Sequence, residues 1–165
     1  GGFADVSFRP QRGVQHTLRS TYIDDTLDIN DLGFLTRNDQ VNMDYNYSRT
    51  ESDVPGLRER STSMFFTNQW NTAGQPVRMG LFFNRSYTSL ENNKFDYSFR
   101  YFPERIDDRL GRGTGDFRVQ GRWGANFGYS TNRAESISYN VNLNSSKIRI
   151  NLLPDSRGSF YFSLF

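Results

Sequence analysis

Residues 117–130 read Phe-Arg-Val-Gln-Gly-Arg-Trp-Gly-Ala-Asn-Phe-Gly-Tyr-Ser and alternate without a slip. One face carries Phe117, Val119, Gly121, Trp123, Ala125, Phe127 and Tyr129. The other carries Arg118, Gln120, Arg122, Gly124, Asn126, Gly128 and Ser130. Successive side chains of a strand point to opposite faces, so this period of two reads as one long amphipathic strand. Ordinary strands run to about 5–6 residues. A small sandwich rarely holds one this long.

The same pattern recurs on both sides. Ile137, Tyr139, Val141 and Leu143 alternate with Ser136, Ser138, Asn140 and Asn142. Phe95, Tyr97, Phe99 and Tyr101 alternate with Asp96, Ser98 and Arg100. Val77, Met79, Leu81 and Phe83 alternate with Arg78, Gly80, Phe82 and Asn84, and Val41, Met43, Tyr45 and Tyr47 with Asn42, Asp44, Asn46 and Ser48. In 61–72 the apolar face takes Met64, Phe66 and Trp70. Weaker strands are expected over 4–8 and 13–23, the latter with an undecided face, and a final pair over 147–152 and 159–165. Tight turns are expected at 73–76, 131–134 and 144–146, and long connections at 24–38 and 103–115. The expectation is one domain of eight to ten strands over 1–165.

Composition says what covers the apolar faces. Of 165 residues, 35% are hydrophobic and 16% aromatic, with 15 Phe and 9 Tyr. Aliphatic side chains are too few for a large dry core, while the many rings argue against disorder. No apolar run approaches the roughly 18 residues of a membrane helix. Gly1-Gly2-Phe3 does not open a secretory signal, so the chain reads as mature or as cut from something longer. A membrane barrel solves the shortage of core, because lipid satisfies its outer face and strand pairing its backbone. The fold expected is therefore all-β: an antiparallel up-and-down transmembrane β-barrel, or an arc of a larger barrel. A soluble β-sandwich carbohydrate-binding module is the alternative.

Energetics orient the strands. An arginine on the lipid face near the midplane costs about 2–4 kcal/mol. The lipid-facing set is thus Phe117, Val119, Trp123, Phe127, Tyr129, Ile137, Tyr139 and Val141. The lumen-facing set is Arg78, Arg100, Arg118, Arg122, Asp44 and Asp96. These arginines either guide a sugar or anionic solute or pair with acids to fill the barrel. Arg100 and Arg118, on consecutive strands, are expected near each other.

At 30–39 the chain reads Asn-Asp-Leu-Gly-Phe-Leu-Thr-Arg-Asn-Asp, and at 107–113 Asp-Asp-Arg-Leu-Gly-Arg-Gly. These stretches resemble motifs of a large outer-membrane barrel region that follows a family-9-type carbohydrate-binding domain in bacterial proteins. Gly111 and Thr114 depart from that pattern. The resemblance spans 20–165 and implies a bacterial outer-membrane location. It also implies a sugar-binding domain upstream, outside this chain, and implies no activity.

Other chemistry is thin. Zero cysteines exclude a disulfide scaffold and a thiol enzyme. A net charge of +2 gives no clustered basic face for nucleic acid. His16 is the single histidine, so an outer-membrane hydrolase would have to use it as base. Asp28, Asn30 and Asp39 sit at calcium-loop positions, but Leu32 occupies the fifth and Asp39 the twelfth. Glu104, Asp107 and Asp108 are the paired carboxylates available to a glycosidase. Gly111–Gly115 lacks the lysine of a phosphate loop. The expectation is a non-enzymatic outer-membrane protein without cofactor, a pore or membrane anchor linked to carbohydrate binding or uptake. Its expected partners are outer-membrane lipids, a sugar or anionic solute, and barrel strands or subunits outside this chain.

Overall fold

The computed structural model describes residues 1–24, 39–52, 54–107, 117–132, 140–148 and 158–164. They form strands β1 (Gly2–Phe8), β2 (Val14–Ile23), β3 (Gln40–Glu51), β4 (Leu57–Trp70), β5 (Pro76–Ser89) and β6 (Lys94–Phe102). Then come β7 (Arg105–Asp107), β8 (Phe117–Val119), β9 (Arg122–Ser130), β10 (Asn140–Ile148) and β11 (Gly158–Leu164). There is no helix among the described residues. One nine-stranded antiparallel sheet runs β1-β2-β3-β4-β5-β6-β9-β10-β11, and β7 pairs with β8.

The sheet is open: of the two expected forms, a barrel closed by this chain or an arc of a larger one, the described residues do not close. Strand parity agrees. Each strand runs opposite to its neighbour, so in a meander of nine the first and last run the same way. Closing β11 onto β1 would make the one parallel pair in an antiparallel ring.

The long hairpin of β6 and β9 shows how sequence shapes the break. Phe102 faces Arg122, and beyond the gap Arg105 faces Val119 in the same register. The 117–130 strand is therefore interrupted at Gln120-Gly121 rather than continuous. Register brings Pro103, which has no N–H to give the ladder, opposite Gly121. A Cβ on Gly121 would sit 3.3 Å from the Phe102 carbonyl oxygen and 3.4 Å from the Glu104 nitrogen. Bare backbone fits that approach.

The turn expected at 144–146 is also corrected. Asn144, Ser145 and Ser146 lie within β10, opposite Asn126, Ala125 and Gly124 of β9. Their composition suits a turn, but the alternation of β10 carries through them. Residues 136–139, including Ile137 and Tyr139, lie outside the described residues.

Among the described residues only two hydrophobic side chains, Val14 and Val77, are buried. Among the described residues the molecule is one layer, and no second sheet covers either face.

Candidate functional site

Register assigns every strand to a face. One row across the sheet joins Phe8, His16, Tyr47, Met64, Phe83, Phe99 and Ala125. The next joins Val6, Leu18, Tyr45, Phe66, Leu81, Tyr101 and Trp123. This is the ring face, and it settles the undecided face of β2. Its rings touch across strands: Phe83 and Tyr97 at 5.9 Å, Tyr97 and Phe127 at 6.3 Å, Phe99 and Trp123 at 6.5 Å. Such pairs stabilise a sheet by roughly 0.2–1 kcal/mol each. The rings are nevertheless open outward, with Phe127 48% and Tyr101 44% exposed.

Phe117, Val119, Trp123, Phe127 and Tyr129 fall on this face, and Val141 stands opposite Tyr129. Arg78, Arg100, Arg118, Arg122, Asp44 and Asp96 all fall on the other face. That face is otherwise built of residues such as Asn42, Asn46, Ser48, Ser63, Thr67, Asn84, Ser98 and Asn126.

The structure does not bring Arg100 and Arg118 together as expected. Arg100 stands opposite Gly124 and Arg118 opposite Ile106. Six residues of strand, about 20 Å, separate the two levels, so Arg100 and Arg118 are not neighbours. Nor do Asp44 and Asp96 neutralise them. Asp44 accepts from the Asn42 amide at 2.8 Å, and its register partner Arg19 turns instead to Asp5 at 2.9 Å. The Asp96 carboxylate lies across Gly128, where a Cβ would come within 2.8 Å of it. Arg100 lies across Gly124 in the same way, its Nε 2.7 Å from the Cβ position. Arg118 meets Glu104 at 3.1 Å with both side chains at least half exposed. Arg118→Gln should therefore move the urea midpoint by no more than the equivalent of about 0.5 kcal/mol.

Sequence reasoning missed two groups. On the polar face, Phe65, Phe82 and Phe102 join at 5.7 and 5.3 Å, and the Arg122 guanidinium sits 4.5 Å from the Phe102 ring centre. On the ring face, Arg49 and Arg85 flank Thr62 in one row, and Glu51, Arg60 and Tyr87 form the next. Glu51 accepts from Arg49 at 2.6 Å and from Arg60 at 2.8 Å. Arg85 lies 5.3 Å from the Tyr87 ring centre. Continuing the alternation of 77–84 by two positions would have placed Arg85 there.

His16 takes part in the ring face: its Nδ1 is 2.8 Å from the Tyr45 hydroxyl, and its ring lies 5.1 Å from that of Tyr47. Asp28, Asn30 and Asp108 lie outside the described residues, as do Gly111–Gly115 and most of both family-like motifs. Asp39 has φ 58° and accepts a hydrogen bond from the Thr72 backbone N–H at 2.6 Å, tying β3 to the β4–β5 turn. No group of His, Asp and Glu able to hold a metal occurs among the described residues. A hollow of about 580 Å³ at the β1–β2 turn is lined by Arg9, Arg12, Gln15 and Ser48 among others.

A family described as "Domain of unknown function (DUF5916)" matches over residues 2–162. No curated protein and no solved structure matches the chain.

Proposed function

Because the chain belongs to the DUF5916 family, kinship brings it no activity, and we propose its function from the sheet itself. The chain is an arc of a bacterial outer-membrane β-barrel. Its ring face meets lipid and its polar face lines an aqueous lumen. The protein is a non-enzymatic pore or barrel anchor, linked to carbohydrate binding or uptake.

The observation that carries this reading is the uncovered ring face. A soluble protein would bury a strip of Phe, Tyr, Trp and Met this wide; contiguous exposed apolar patches beyond a few hundred Å² mark an interaction surface. Here the rings span adjacent strands, and among the described residues 12 large hydrophobic side chains of this face, from Val6 and Phe8 to Phe127 and Tyr129, are exposed. Lipid is the solvent that fits an extended, gently varied apolar sheet face. The polar face fits water, since its amides, hydroxyls and glycines leave room. A solute passing over it would meet the Phe82–Phe102 patch beside Arg100 and Arg122, rings for a sugar face and cations for an anion.

The absence of native cysteine makes a direct test available. Single cysteines at 123, 125 and 127 should label only with a lipid-phase probe in the membrane-embedded protein. Cysteines at 122, 124 and 126 should label with a water-soluble maleimide. Water-soluble labelling of both sets would overturn the membrane reading in favour of a soluble sheet.

A further inference from the structure

We propose that Arg49, Arg60 and Arg85, with the hydroxyl of Thr62, form a binding site for the phosphate of an anionic phospholipid. The proposal rests on the reading that the ring face meets lipid.

These residues are misplaced for a lipid face unless depth explains them. Burying an arginine at the bilayer midplane is costly, and at the headgroup level it is nearly free. Three on the same face, at one end of adjacent strands, place that end of the sheet at a membrane surface. Strand length agrees. Along β5, the ring face runs from Arg85 through Phe83, Leu81 and Met79 to Val77, next to the Arg105 level. Those eight steps span about 26 Å of strand, or about 20 Å along the membrane normal at a tilt of roughly 40°, against an apolar band of about 25 Å. At the far end the ring face carries Arg105 and Asp107. From β1 to β9, charge on the ring face among the described residues is thus confined to the two ends.

The near rim is unbalanced. Glu51 is the one carboxylate in the group, and it gives one oxygen to Arg49 and the other to Arg60. Each of those guanidiniums keeps further N–H groups. Arg85 has no carboxylate among the described residues; its neighbour is the Tyr87 ring. Three cations against one anion leave a net positive patch. Arg49 and Arg85 stand two strands apart, about 10 Å, on either side of Thr62. Guanidinium forks match phosphate oxygens in pairs. The flanking Tyr87, Phe95, Tyr97 and Tyr129 give the belt of rings that settles at the same depth.

Connection lengths choose the leaflet. At this rim β1–β2, β3–β4 and β5–β6 are joined by the short segments 9–13, 52–56 and 90–93, and β9–β10 by the nine residues 131–139. The opposite rim carries 71–75, 108–116 and 149–157 and, at sixteen residues, the longest connection of the sheet, 24–39. Outer-membrane barrels keep short turns on the periplasmic side. The lipid is then a phospholipid of the inner leaflet.

The test compares insertion of the full chain into vesicles of phosphatidylcholine alone and of phosphatidylcholine mixed with phosphatidylglycerol. Each arginine near an anionic surface is worth about fivefold in partitioning. Wild type should prefer the mixed vesicles by tenfold or more. The triple variant R49Q/R60Q/R85Q should lose that preference. The variant R78Q/R100Q/R118Q, with the same change of charge on the other face, should keep it. E51Q leaves every arginine in place and should raise the preference about fivefold, so the site is tested even where the triple variant misfolds. Equal insertion into both vesicles, or equal loss in both triple variants, overturns the site alone. Loss of the preference in inorganic phosphate but not in chloride of equal ionic strength means a free-phosphate site and overturns the lipid assignment. Failure to enter either vesicle overturns the membrane reading and the site with it.

Discussion

Phe127→Arg is expected to abolish insertion of the sheet, while Asn126→Arg, one residue away, is tolerated. Phe127 stacks on Tyr97 in the body of the ring face. A guanidinium there costs about 2–4 kcal/mol in lipid. The loss of the ring adds roughly 1.5–3 kcal/mol. Together these are a large share of the 5–15 kcal/mol that holds a typical fold. Asn126 stands between Ser98 and Asn144 on the polar face, where an arginine stays in water. The measurement is the fraction of each variant that resists urea extraction from the membrane. Equal tolerance of the two substitutions would mean that both faces see water, and the barrel arc would be the wrong reading.

Gly13→Ala is the second large effect, expected to cost about 2–5 kcal/mol. Gly13 holds φ at 78° and accepts the Thr50 N–H at 2.8 Å. A Cβ there would lie 2.2 Å from the Thr50 carbonyl oxygen. The left-handed conformation costs a non-glycine residue roughly 1–2 kcal/mol. Forcing the two backbones apart adds roughly 1–3 kcal/mol. Gly56 provides the control, since it holds φ at 77° with nothing within 4 Å of its Cβ position. Gly56→Ala should therefore cost only the conformational part. The difference in urea midpoint between the two variants isolates the contact that locks the β1–β2 turn onto the end of β3. Equal midpoints would mean that the contact is not made.

The faces of this sheet could be read from sequence because alternation is a local property. Trp123 and Arg122 declare opposite sides whatever their partners do, and the registers of β3, β5, β6 and β9 keep that division. Closure could not be read, because it depends on counting strands. Asn144-Ser145-Ser146 looked like a turn that would have changed the count, and only its pairing with β9 shows otherwise. The arginine rim is illegible for a similar reason. Each apolar run reads as ending at its last apolar residue, Tyr47 or Phe83. The same alternation carries on to Arg49 and Glu51, and to Arg85 and Tyr87. The partners of the polar-face arginines were illegible as well. Arg19 prefers Asp5 to Asp44, and Arg122 prefers a Phe102 ring, choices made by rotamers across strands. The motifs at 30–39 and 107–113 carried the family resemblance, yet they lie mostly outside the described residues.

The shared direction of β1 and β11 has an evolutionary corollary. An antiparallel ring obeys a parity law: its membership is even, so an all-antiparallel ring containing these nine described strands takes in an odd number of others. Insertions and deletions in relatives should then come in whole hairpins, two strands at a time. Single-strand gains are self-defeating, since they leave a mismatched seam that only a second such event repairs. On the proposed barrel reading, ring circumference is then quantised, and its bore changes in steps rather than by degrees.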